Sequence, residues 1–270
     1  MGVEAYILLP LTGLVAGFLA GLLGIGGGVV MVPLLFYLFP ALGFPQEVAV
    51  HMALGTSLAA ATFLSLSSSL AHIRKGHLHK EGFPFVAAGG LVGAMVGSTV
   101  ATHVNGMILK KAFALLLLYA SARIGLNVGP KGEDDHEVDT PKPLVLFPVG
   151  MAVGAIASFF GIGGGVVAVP LMVIVLGFPM TLAVGTSASL IPFITGTGAF
   201  GYAFFGAHSG LALPPHSLGY VHIPSWIALL LGGTVGAQLG ACFTEKVRVA
   251  VLRRAFAVLL LFTALKIIMK

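Results

Sequence analysis

The chain has 270 residues, 57% of them hydrophobic and only 9% charged, with a mean hydropathy of +1.05 and a formal charge of +5. That is too little polar surface to cover a water-soluble globule of 27.6 kDa, so the chain belongs in a bilayer. The basic excess then marks the cytoplasmic side of a membrane protein rather than a nucleic-acid partner, and a lone Cys242 excludes an intrachain disulfide and a cysteine-based metal site.

The opening MGVEAY carries Glu4 and no Lys or Arg, so it lacks the basic start of a cleavable signal peptide, and the first apolar segment is expected to stay as a helix. Apolar stretches run over 5–23, 29–42, 48–73, 83–103 and 107–128, and an equivalent series follows from Leu144. About 20 residues cross a hydrocarbon core as a helix, so most of these are long enough; the second of each series is short. No series of short alternating segments suggests an outer-membrane barrel.

The two series are copies. Residues 23–34 read LGIGGGVVMVPL and residues 160–171 read FGIGGGVVAVPL, ten of twelve identical at an offset of 137. Gly55-Thr56-Ser57 recurs as Gly185-Thr186-Ser187, GGLVGAMVG at 89–97 as GGTVGAQLG at 232–240, and LKKAFALLLLY at 109–119 as LRRAFAVLLLF at 252–262. The order of blocks is preserved, which defines a first repeat over 1–128 and a second over 143–270. Between them, 129–142 holds prolines, Gly132 and the acidic run Glu133-Asp134-Asp135, and reads as a solvated connector.

Five segments per repeat is an odd number, so tandem copies must lie upside down relative to each other. The loop after the third segment of repeat one contains Arg74, Lys75 and Lys80, whereas its counterpart at 205–222 contains no Lys or Arg. With five crossings per repeat, ten of the fourteen basic residues collect on the Arg74 side; a parallel arrangement with four crossings collects eight. The positive-inside rule therefore favours inversion with both termini outside the cell membrane. The expected fold is an all-α polytopic membrane protein of two tandem inverted-topology repeats, each with a Gly-broken helix.

Candidate function follows from the breaks. Each Gly costs roughly 1 kcal/mol relative to Ala inside a helix, so Gly24, Gly26, Gly27 and Gly28 predict an interruption that exposes N–H groups at the start of the next helical stretch. Exposed backbone at membrane depth survives only where protein, water or ligand satisfies it, and a helix N-terminus suits an anion. Gly26, Gly27 and Gly28, with Gly163, Gly164 and Gly165 from the second copy, are the candidate ligands, joined by the hydroxyls of Thr56, Ser57, Thr186 and Ser187. Small residues at a spacing of four, such as Gly13, Gly17 and Gly21, or Gly89, Gly93 and Gly97, or Gly232, Gly236 and Gly240, instead suit helix contact seams.

Ionisable groups are sparse within the apolar segments. No Asp or Glu lies near the middle of one, which argues against a carboxylate proton relay and against a transported metal cation. His51, close to the first Gly-Thr-Ser, is a candidate gate or coupling group, as are Arg74 and Gln238. His72, His77 and His79 lie in a cationic loop unsuited to a divalent ion. No metal, cofactor or catalytic triad is expected, and no nucleotide-binding loop occurs. The expected partners are a small anion and the lipid bilayer.

With GLLGIGGGVVMVPLL, its copy SFFGIGGGVVAVPLM, the Gly-Thr-Ser that follows each, and the turn His72-Ile73-Arg74-Lys75-Gly76-His77, the whole chain resembles the TauE/SafE family of bacterial and archaeal permeases, the sulfite exporter group. The resemblance implies ATP-independent movement of a small sulfur oxyanion or organosulfonate, such as sulfite, sulfoacetate or thiosulfate, by a secondary carrier. An anion channel would use the same donors, and a divalent-metal permease would use the histidines. Repeat two has Tyr202, Phe204 and Gly206 where repeat one has His72, Arg74 and Gly76, so any role of Arg74 is one-sided.

Overall fold

The computed structural model describes residues 3–23, 27–125, 142–243 and 249–269. Five helices precede the connector: α1 (Val3–Leu23), α2 (Gly28–Ala41), α3 (Gln46–Arg74), α4 (Phe83–His103) and α5 (Gly106–Gly125). After it come α6 (Pro143–Phe159), α7 (Gly165–Leu176), α8 (Met180–Ala207), a two-residue hairpin of β1 (Ser217–Leu218) and β2 (Val221–His222), then α9 (Ile223–Phe243) and α10 (Val249–Ile268). Four spans, Gln46–Arg74, Phe83–His103, Met180–Ala207 and Ile223–Gly240, are long and apolar enough to cross a membrane. The exposed apolar residues of α4, such as Val92, Val96 and Val100, suit contact with lipid.

Glycine decides which helices meet. On Gly89, Gly93 and Gly97 of α4, a Cβ would overlap the carbonyls of Phe147, Met151 and Ala155 on α6, and on Gly150 and Gly154 of α6 it would overlap those of Val86 and Gly90. The same relation joins α1 to α9: Gly13 and Gly17 lie against Leu229 and Gly233, Gly232 and Gly236 against Pro10 and Leu14. Backbones this close gain dispersion contact over their whole length, which drives association where no hydrophobic effect separates helix from lipid. The first helix of each sequence repeat thus packs on the fourth helix of the other, and the two stretches are interlocked.

At the centre α3 crosses α8. Gly55 lies against Tyr202, Leu58 against Gly198, and Thr62 against Gly196, while Thr62 donates to Thr195 Oγ1 at 3.0 Å. Numbers that rise along α3 fall along α8, so the two helices carrying Gly-Thr-Ser run antiparallel.

Candidate functional site

The second glycine run forms a turn between helices. Phe159 ends α6 and Gly165 begins α7; between them Gly161, Gly163 and Gly164 adopt φ of +68°, +81° and +94°, a left-handed backbone open to glycine and costly for other residues. The chain reverses there. Leu146 near the start of α6 reaches Gly82, whose neighbour His79 stacks at 4.8 Å on Phe178, just beyond the end of α7, so both open ends of the α6–α7 hairpin lie at the same end of the molecule. In repeat one, α1 ends at Leu23 and α2 begins at Gly28; Gly24 and Gly26 lie outside the described residues.

The starts of α2 and α7 leave backbone donors in a buried place. The first hydrogen bonds of α7 are those of Val167 and Ala168 to the Gly164 carbonyl, at 3.0 and 2.7 Å; those of α2 are from Val30 and Met31 to Gly27, at 3.1 and 2.9 Å. The N–H groups of Gly165 and Val166 precede any helical acceptor, and among the described residues those of Gly28 and Val29 have none. A Pro six residues into each helix, Pro33 and Pro170, also withholds the hydrogen bond that the Val29 and Val166 carbonyls would accept.

The start of α2 and the second turn meet. A Cβ on Gly28 would come within 2.7 Å of the Gly161 carbonyl oxygen and of the Ile162 backbone, so turn and helix start from opposite repeats are in direct contact. Gly163 faces Thr195, Ile191 and Ala61, near the middle of α8 and α3. Ser57 donates to the Gly161 carbonyl at 3.2 Å. Its counterpart Ser187 is buried, with no hydrogen-bond partner for its hydroxyl among the described residues. Gly27, Gly28, Ser57, Gly163, Gly164 and Gly165 are thereby assembled in one buried region.

Thr56 and Thr186 have a different employment. Each accepts the backbone N–H of a histidine from the other repeat's loop: His222 to Thr56 Oγ1 at 3.1 Å, and His79 to Thr186 Oγ1 at 3.2 Å. The glycine before each threonine makes room for the same loop, Gly55 against the Tyr220 carbonyl and Gly185 against that of His77. Both histidine rings accept at Nδ1 from the following helix start, His79 from Gly82 N–H at 3.0 Å and His222 from Ser225 N–H at 3.3 Å. Burial, ahead of other causes, holds His222 down to about 4.

His51 is buried on α3, its Nε2–H directed at the carbonyls of Ala101 and Val104 at 3.2 and 3.0 Å, its ring stacked at 5.0 Å on Tyr220. It borders a cavity of about 520 Å³ that also receives Gln46, Glu47, Asn105 and Lys110. Arg74, at the exposed end of α3, and Gln238, on an exposed face of α9, are not brought to the glycine turns. Sequence reasoning missed the Thr62–Thr195 pair and Tyr202, whose hydroxyl donates to the Phe159 carbonyl at 3.3 Å. A hydroxyl at a similar depth in each of two antiparallel long helices was the available signal.

Residues 9–267 match the sequence model of the family described as Sulfite exporter TauE/SafE. The chain belongs to this family. Among its relatives, a "Probable membrane transporter protein" of Haemophilus influenzae is 30% identical over 98% of both chains, one of Bacillus subtilis 31% over 90% of both, and one of Methanocaldococcus jannaschii 28% over 90% of this chain and 89% of the relative. No solved structure matches significantly. This TauE/SafE member is therefore a multi-pass membrane transporter and not an enzyme.

Proposed function

We propose that the protein is a secondary carrier of a small sulfur-containing oxyanion, of the class of sulfite, thiosulfate and organosulfonates such as sulfoacetate, working by alternating access in the inner or plasma membrane. The observation that carries this reading is the contact of Gly28 with Gly161 and Ile162: the glycine-led start of α2 from one repeat meets the glycine turn of the other beside Leu54 and Ser57 of α3, and among the described residues the first N–H groups of α2 and α7 have no helical acceptor. Neutral donors concentrated at two helix starts stabilise an anion, and without a fixed cationic partner they can also release it. Ser57 stands beside these donors through its bond to Gly161, and the buried hydroxyl of Ser187 has no partner among the described residues. Thr56 and Thr186 reach the anion only if their loop partners move.

Inverted repeats account for the architecture: α3 and α8 are equivalent and antiparallel, and the α1–α9 and α4–α6 seams exchange when the repeats are exchanged. Together with the basic residues of the Arg74 loop, this supports an orientation with the Arg74 loop and the connector inside and both termini outside. His51, buried beside the cavity, is the group we assign to coupling; Arg74 and Gln238 would act on approach or helix packing. The test is flux in proteoliposomes with sulfite, thiosulfate, sulfate and sulfonates, with and without a pH gradient. Saturable uptake with counterflow of one sulfur anion is expected. Flux without counterflow would make it a channel, and flux of none of these anions would overturn the reading.

A further inference from the structure

We infer that the loops following α3 and α8 are the two gates of the transporter, each latched by one hydrogen bond across the repeats: His79 N–H on Thr186 at one end, and His222 N–H on Thr56 at the other. This deepens the carrier reading and rests on it.

The two latches are built alike from sequences that share little. Each loop lays a carbonyl, His77 or Tyr220, on the glycine of the other repeat's Gly-Thr-Ser. Each then donates the histidine N–H to the adjoining threonine and uses the ring Nδ1 to receive the first N–H groups of the next helix, α4 or α9. Each ring packs on the phenylalanine of a Gly-Phe-Pro turn in the opposite repeat. His79 stacks on Phe178 at 4.8 Å, and His222 meets Phe44 edge-on at 5.0 Å. The Gly-Phe-Pro turns at 43–45 and 177–179 precede the very helices that carry the threonines.

Their placement is that of gates. Because α3 and α8 run antiparallel through the Thr62–Thr195 pair, Thr56 lies six residues to one side of the crossing and Thr186 nine to the other. The latches are therefore roughly 22 Å apart along the axis at 1.5 Å per residue; Gly163, against Ala61, Ile191 and Thr195, lies between them, and the Gly28–Gly161 contact lies level with Leu54 and Ser57, beside the Thr56 latch. With both engaged, each end is closed by a loop. Releasing one and keeping the other opens one face, and inverted symmetry makes the two releases equivalent events.

The experiment uses the full chain with Cys242→Ser and a reporter Ala61→Cys near Gly163, labelled with a membrane-impermeant maleimide in vesicles of each orientation. Thr186→Val removes one acceptor at nearly constant shape, and Thr56→Val the other. Loss of one hydrogen bond predicts labelling faster by about fivefold to tenfold from the face of the released loop, with the opposite face unchanged; Thr→Ser, which keeps the acceptor, restores the slow rate. Should a valine variant fail to accumulate, His79→Ala or His222→Ala, which remove the ring contacts, should show the same sidedness. Unchanged labelling, or equal change from both faces, would overturn the gates. The readout needs no substrate: sided labelling without flux of any sulfur anion would sink the oxyanion reading alone, and flux with unsided labelling would sink the gates alone.

Discussion

Ser57 donates its hydroxyl to the carbonyl of Gly161 at 3.2 Å, tying α3 of one repeat to the glycine turn of the other, whereas the equivalent Ser187 has no partner for its hydroxyl among the described residues. One serine holds the fold and its twin is held in reserve. A buried hydroxyl without an acceptor or donor costs on the order of 1–3 kcal/mol, a cost that an anion bound beside it would remove.

The twins should therefore respond differently to alanine. Ser57→Ala is expected to lower stability by about 1 kcal/mol through the lost bond to Gly161. Ser187→Ala should leave stability equal or higher and weaken anion affinity by about tenfold, as for a lost charged hydrogen bond. Thermal unfolding in detergent alongside a binding titration with sulfite measures both; equal losses of stability would place Ser187 in the scaffold.

Gly164 is held at φ +94°. Gly164→Ala should cost roughly 1–2 kcal/mol from the left-handed backbone alone, and Gly164→Leu should abolish transport. Gly27→Leu is expected to do the same from repeat one. Normal flux in either leucine variant would remove the glycine turns from the transport path.

The α4–α6 seam should tolerate nothing larger than hydrogen at Gly93, where a Cβ would overlap the Met151 carbonyl. Gly93→Leu is expected to destabilise by more than the about 1–3 kcal/mol typical of overpacking, and to cut the yield of monodisperse protein. Val92→Ala, on the exposed side of the same helix, should leave yield unchanged. Equal yields of both variants would mean that the seam can open.

Acid should loosen the loop that carries His222. Burial lowers its imidazole to about 4 from the ordinary 6.5, so the folded loop binds a proton less readily than the released one. The stability it contributes is fully present above pH 6.5 and is lost as pH falls toward 4. Thermal unfolding measured from pH 7.5 to 4.5 should fall less steeply for His222→Gln than for the parent, and parallel curves would show that the imidazole does not titrate with opening.

Topology is open to direct measurement. In a Cys242→Ser background, Lys75→Cys and Ala207→Cys should label from opposite faces of the membrane; labelling from one face only would reject the inverted arrangement.

Much was readable in the residues themselves. The near-identical 23–34 and 160–171 announce duplication, the apolar stretches announce a helical membrane protein, and glycines every four residues announce backbone contact, because these properties repeat along a single chain. The equivalence of His79 and His222 was not readable. Lys80-Glu81-Gly82 and Ile223-Pro224-Ser225 share no side-chain chemistry, and the common function is carried by a backbone N–H and a ring nitrogen, which almost any flanking sequence can present.

Local sequence thus determined where the chain must be apolar, where helices must stop and which faces must be bare of side chains. Only the tertiary structure decided which partner each group finds. Thr56 and Thr186 look like ligands because hydroxyls beside glycine are polar in an apolar span. In the structure they accept from loops 166 and 107 residues away. The physical reason is that a buried polar group takes whatever complementary group packing brings near it, and in interlocked repeats that group comes from the other half of the chain.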